Sequence, residues 1–146
     1  MNSSVCVDAS LIIRTLIPDR FSNEAETLLT IWQRERTQLL APALLAFEVT
    51  SALRRLVALK AISPSRGDEA FAQFLRIPIR LSARRVIFPL AWRLAKEFNR
   101  PRAYGMAYLA MAQLAKSPFW TADERLYNAV SETLPWVHWV ASVSTQ

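Results

Sequence analysis

Glycine occurs only twice in the chain, at Gly67 and Gly105. That scarcity excludes a glycine-rich phosphate cradle of the Rossmann or P-loop kind, whose close backbone turns need several glycines in one short stretch. One cysteine, Cys6, excludes an intramolecular disulfide and fits a reducing compartment. It lies inside the apolar run Val5-Cys6-Val7, where a thiol behaves as a small core hydrophobe. The lone histidine, His138, alternates outward within Trp136-Val137-His138-Trp139 and reads as structural, not as a base. No apolar run approaches the length that spans a bilayer. No basic segment followed by a long apolar stretch opens the chain. A cytoplasmic protein with no membrane segment is expected.

What is present is an ordinary globular balance. The 146 residues are 52% hydrophobic and 21% charged, enough for one domain with a sizeable core. A single domain over residues 1–141 is expected, with a polar tail from Ser142 to Gln146. The formal charge of +6 comes mostly from arginine. Such a field concentrates polyanions, so nucleic acid and acidic membrane surfaces are both candidate partners.

Short apolar runs alternate with helical periodicities. Val5–Val7 reads as a buried strand ending at Asp8, after which Ser10 opens a short helix through Leu16. Ser22 is the expected N-cap of the next helix, with Glu24 and Glu26 suiting its positive end. Gln38–Leu40 reads as a second strand. A long helix then runs from about Pro42 to Leu59, with Leu45, Val49, Leu53, Leu56 and Val57 at helical spacing. Ser63-Pro64 starts another helix, and Ile77–Leu81 is a third strand. Val86–Phe98 and Ala103–Leu114 are helical. Phe119–Thr121 is a strand followed by a short helix, and Val137–Val140 is the last strand. Alternation of this kind predicts an α/β fold: a three-layer α/β/α sandwich around a short, largely parallel sheet.

In open parallel sheets, ligands bind beyond the C-terminal ends of the strands. Asp8 and Asp123 both follow predicted strands, and Glu48 lies early in the long helix after the second. Brought together, three carboxylates repel one another unless a cation is present, and hard oxygen ligands prefer magnesium or manganese. Taken singly, each has a simpler role. Asp8 would cap a helix, Asp123 would cap the turn after Thr121, and Glu48 would be solvated or pair with Arg54 or Arg55.

Four segments in order resemble the PIN domain family, and in particular the VapC-type toxins of toxin–antitoxin systems. They are Val5-Cys6-Val7-Asp8-Ala9-Ser10, Ala41 to Val49 with Ala52-Leu53 after it, Tyr104-Gly105-Met106-Ala107-Tyr108-Leu109-Ala110-Met111-Ala112, and Thr121-Ala122-Asp123-Glu124-Arg125-Leu126. Together they cover nearly the whole chain. The resemblance implies a PIN-like fold and a magnesium- or manganese-dependent endoribonuclease. Asp8 and Asp123 would ligate the metal, Glu48 would hold a metal-bound water or help bring a second ion, and Ser10 and Thr121 would support the site. Arg14 and Arg102 lie near the motifs and would hold the RNA backbone.

One position departs from the family pattern. Where the family places an aspartate after the tyrosine of the third motif, this chain has Gly105. By the resemblance, the metal ligand set would be one acid short and the site weakened or inactive. On this resemblance, the chain would be either a natural, degenerate PIN domain or an inactivated form of a toxic nuclease. The alternative function is a non-catalytic PIN-like module that binds RNA or a protein partner. The resemblance also implies an antitoxin-like partner and a homodimer, which the tryptophans Trp92, Trp136 and Trp139 would suit if the core does not use them.

Overall fold

The computed structural model describes residues 3–143. Five short strands form from the apolar runs: β1 (Ser4–Val7), β2 (Gln38–Pro42), β3 (Ile79–Ser82), β4 (Phe119–Thr121) and β5 (Val137–Trp139). Seven helices connect and follow them: α1 (Ala9–Leu16), α2 (Ser22–Arg34), α3 (Leu44–Ala58), α4 (Pro64–Arg76), α5 (Ile87–Glu97), α6 (Tyr104–Ala115) and α7 (Glu124–Val130). A 3-10 turn over Val140–Ser142 follows β5. Of the expected polar tail, residues 144–146 lie outside the described residues.

The strands form one sheet in the order β3-β2-β1-β4-β5, and every pairing is parallel. A central parallel strand is covered on both faces, so it needs apolar side chains on both. Val5, Cys6 and Val7 of β1 are accordingly all buried. Helices α1 to α4 pack among themselves, and α5 packs on α6, which crosses β1, β2 and β4. These are the two outer layers of an α/β/α sandwich.

The order of strands positions the site. From β1 the chain moves to β2 and then β3 in one direction, and then returns past β1 to β4 and β5. Crossovers in parallel sheets are right-handed, so reversing direction puts the connecting helices on the opposite face. The reversal falls between β1 and β4. Connections leaving these two neighbours diverge to opposite faces and leave a crevice at their C-terminal ends. Asp8 directly follows β1, and Asp123 follows β4 after Ala122.

Local corrections have plain causes. The first helix begins at Ala9, not Ser10, because the Asp8 side chain accepts from the Leu11 N–H as its cap. Ser22 is not the cap of α2. Phe21 holds that position with a left-handed φ of 70°, and the Ser22 hydroxyl instead accepts from the Asp19 N–H. The third strand starts two residues later and ends one residue later than its hydropathy suggests, because β3 takes its register from Leu39–Pro42 of β2. Ser63 does cap α4, with Pro64 in its first turn.

Candidate functional site

Asp8 directly follows β1, at the switch point. Its carboxylate is buried, with 4% of the residue exposed. Oδ1 accepts from the Ser10 hydroxyl at 2.6 Å and from the Leu11 N–H at 3.1 Å. Oδ2 accepts from the Thr121 hydroxyl at 2.5 Å. Burial pushes its pKa up to about 6, against these three hydrogen bonds, and the nearby charge of Asp123 pushes the same way. The ion pair among the described residues is Arg66–Glu69, so Asp8 has no cationic partner there. A buried carboxylate without a counter-charge is costly when ionised.

Two hydroxyls stitch the ends of β1 and β4 together. Thr121 Oγ1 donates to Asp8 and accepts from the Asp123 N–H at 2.9 Å. Ser10 Oγ donates to Asp8 and accepts from the Ala122 N–H at 3.1 Å. Asp123 itself is exposed, and its Oδ1 accepts from the Leu126 N–H at 3.2 Å as the cap of α7. The simple capping roles of Asp8 and Asp123 are therefore real. They leave Asp8 desolvated beside a second acid all the same.

Glu48 is half-buried on α3, and the Tyr108 hydroxyl of α6 donates to its Oε1 at 2.5 Å. The carboxylates of Glu48 and Asp8 both hold the Tyr108 phenol above its ordinary range, after the larger effect of burial. Tyr108 thus stands within the field of both acids. Glu48 is not paired with Arg54 or Arg55. Among the described residues, no three His, Cys, Asp or Glu side chains are placed to hold one ion together.

Gly105 lies in the first turn of α6. A Cβ built there meets Leu126 Cδ1 of α7 at 3.1 Å. The position therefore faces the helix that Asp123 caps, across a gap that Leu126 now fills.

The two arginines named from the motifs have different surroundings. Arg14 is committed to backbone: Nε donates to the Arg20 carbonyl at 3.0 Å and Nη1 to the Ser10 carbonyl at 3.2 Å. It still lines a cavity of about 380 Å³ beside Asp123, together with Arg20 and Arg125. Arg102 is exposed and lines a different, apolar groove at the ends of β2 and β3, with Arg84, Phe88, Trp92 and Tyr104. Trp92 is 68% exposed, so the core does not use it. Trp136 and Trp139 pack against the core. His138 stacks on Trp120 at 5.0 Å, and burial lowers its pKa.

Tyr108, Arg20 and Arg125 were not singled out as site residues from the sequence. Tyr108 stands in the third motif, but nothing local marks a bond to a glutamate sixty positions away. Arg20 and Arg125 are two of many arginines until the fold brings them together.

A parallel α/β sandwich with two aspartates at its switch point, linked by hydroxyls, defines a doubly wound domain with an acid-edged crevice. The comparisons narrow the class. The PIN domain family model matches residues 6–137, and the chain belongs to that family. The fold is similar to the crystal structure of PAE2754 from Pyrobaculum aerophilum, with a TM-score of 0.69 and 18% identity over 97% of this chain and 94% of that one. It is also similar to a toxin–antitoxin complex from Klebsiella pneumoniae, with a TM-score of 0.60 and 17% identity over 97% and 98%. No curated protein sequence matches it.

Proposed function

We propose that the chain is an endoribonuclease of the PIN toxin type with a weakened metal site. The observation that supports this most directly is Asp8: a buried carboxylate at the switch point, without a cationic partner among the described residues, beside a second acid. The donors are hard oxygens of the sort that magnesium and manganese take, so the residues fit such an ion, though with one acid fewer than a full set. Asp8 and Asp123 would hold it directly, and Glu48 would act through water. A divalent ion bound there would neutralise the phosphate and would make water a stronger nucleophile near neutral pH.

The chain's own residues do the positioning. Ser10 and Thr121 fix the Asp8 carboxylate between β1 and β4. Tyr108 holds Glu48 by one oxygen and leaves the other for a water. Arg20 and Arg125 bring positive charge to the rim beside Asp123, where a phosphodiester backbone would lie.

Restoring the missing acid tests the proposal. Gly105→Asp should bind Mn2+ and Mg2+ more tightly by calorimetry and cut a fluorescent RNA faster than the chain as it stands. Asp8→Ala in the restored background should abolish both gains. A Gly105→Asp protein that is folded but gains neither would mean that position 105 is not the vacant ligand position.

The second reading, a non-catalytic module with a protein partner, is favoured by one feature. Phe88 and Trp92 stand four residues apart on α5 and are 65% and 68% exposed, with Tyr104 of α6 at 60%. These rings line a groove of about 700 Å³. An exposed apolar patch of this kind marks an interface. A second copy of the chain would cover it, and an antitoxin-like protein would be the further partner. Both are compatible with the nuclease reading.

A further inference from the structure

The acids account for the scissile phosphate, but not for the cavity of about 380 Å³ beside them. That cavity shares Ser10 and Asp123 with the acidic site. Phe21 and Trp139 also line it, with the exposed Arg20 and Arg125. The Phe21 ring meets the Trp139 indole edge-on at 5.2 Å, and Tyr127 flanks the same indole at 5.7 Å. The Arg20 guanidinium carbon lies 4.5 Å over the Phe21 ring. Phe21 holds a left-handed backbone, with a φ of 70°. A non-glycine residue keeps that conformation only where its surroundings enforce it. Here Arg14 ties the Arg20 carbonyl back toward α1, which fixes the loop that carries Phe21.

We propose that this cavity is a subsite for the nucleotide next to the scissile phosphate in single-stranded RNA. The base stacks on the Trp139 indole, which Phe21 braces edge-on, and the flanking phosphate pairs with Arg20 and Arg125. Single strands are held by this combination, an aromatic platform for the base and arginines for the backbone. A planar guanidinium already resting on a ring is pre-organised to take a phosphate through its N–H edge. Neither arginine is in an ion pair among the described residues, since the pair there is Arg66–Glu69. The identity of the ligand as RNA rests on the nuclease reading above. The subsite itself needs neither metal nor cleavage.

Fluorescence anisotropy with a short labelled single-stranded RNA, in EDTA, measures the subsite alone. The same phosphodiester without bases is the second probe. The unmodified protein should bind the intact RNA about tenfold more tightly than the abasic strand, the order of one base–aromatic stack. Trp139→Leu should remove that advantage and leave abasic binding unchanged, and Trp139→Phe should restore most of it. Arg20→Glu with Arg125→Glu should weaken both probes and flatten the salt dependence. Equal affinity of the unmodified protein for intact and abasic strands would overturn the proposal, as would absent binding or equal affinity for the matching duplex. If Trp139→Leu does not fold, the comparison of the two probes on the unmodified protein still decides. Cleavage by Gly105→Asp bears on the nuclease reading separately.

Discussion

At the scale of single residues, Asp8 combines a structural and a chemical role that pull in opposite directions. Its folded pKa, about 6, lies above the ordinary 3.8. Between those values the folded chain holds a proton that the unfolded chain has lost. Stability therefore falls as pH rises through that window and levels off above it, by up to about 3 kcal/mol at about 1.4 kcal/mol per unit. Thermal unfolding of the metal-free protein should show Tm dropping from pH 4 toward neutrality as Asp8 ionises. Asp8→Asn keeps the cap and should flatten the profile. Mn2+ should recover Tm on the alkaline side only, where the carboxylate is free to bind it. Gly105 carries the opposite balance. An added Cβ sits 3.1 Å from Leu126, which must give by a few tenths of an ångström. Gly105→Asp should therefore cost on the order of 1 kcal/mol in urea unfolding without metal, offset in part by better helix propensity. Saturating metal should reverse the loss.

At the scale of elements, the hydrogen bond from Tyr108 to Glu48 joins α6 to α3 across the end of the sheet. Tyr108→Phe removes a bond to a charged, half-buried group and should cost about 2 kcal/mol, read as a lower urea midpoint with an unchanged slope. A midpoint that does not move would mean that Glu48 finds water as good a partner. This tie also shows how far the sequence could be read. Strands and helices were legible because burial imposes a period on each, as in Val5–Val7 and along Leu45, Val49 and Leu53. Asp8, Glu48 and Asp123 were legible as candidates because acids at the ends of apolar runs stand out. Long-range pairing has no local signature. The bond to Tyr108, the contact between position 105 and Leu126, and the commitment of Arg14 to two carbonyls all depend on which elements become neighbours. Phe21 at the start of α2 was hidden for a different reason: propensity favours serine as a cap, and packing on Trp139 overrode it.

At the scale of the whole molecule, the exposed rings of α5 predict self-association. Sedimentation should find a dimer for the unmodified chain, and Trp92→Glu should shift it to monomer without loss of helix content. A monomer in both cases would assign the groove to another partner. The sheet order bears on the life of the chain before it is complete. β1 lies between β2 and β4, and its pairing with β4 joins Cys6 to Phe119 and Val7 to Trp120. During synthesis, β1 can recruit β2 early, but its other edge stays bare until Phe119–Thr121 has left the ribosome. The Thr121 hydroxyl and Asp123 arrive with that strand. The acidic site is therefore assembled only once β4 has paired with β1, and a chain still being synthesised through the segment before β4 holds Asp8 without Thr121 or Asp123 beside it.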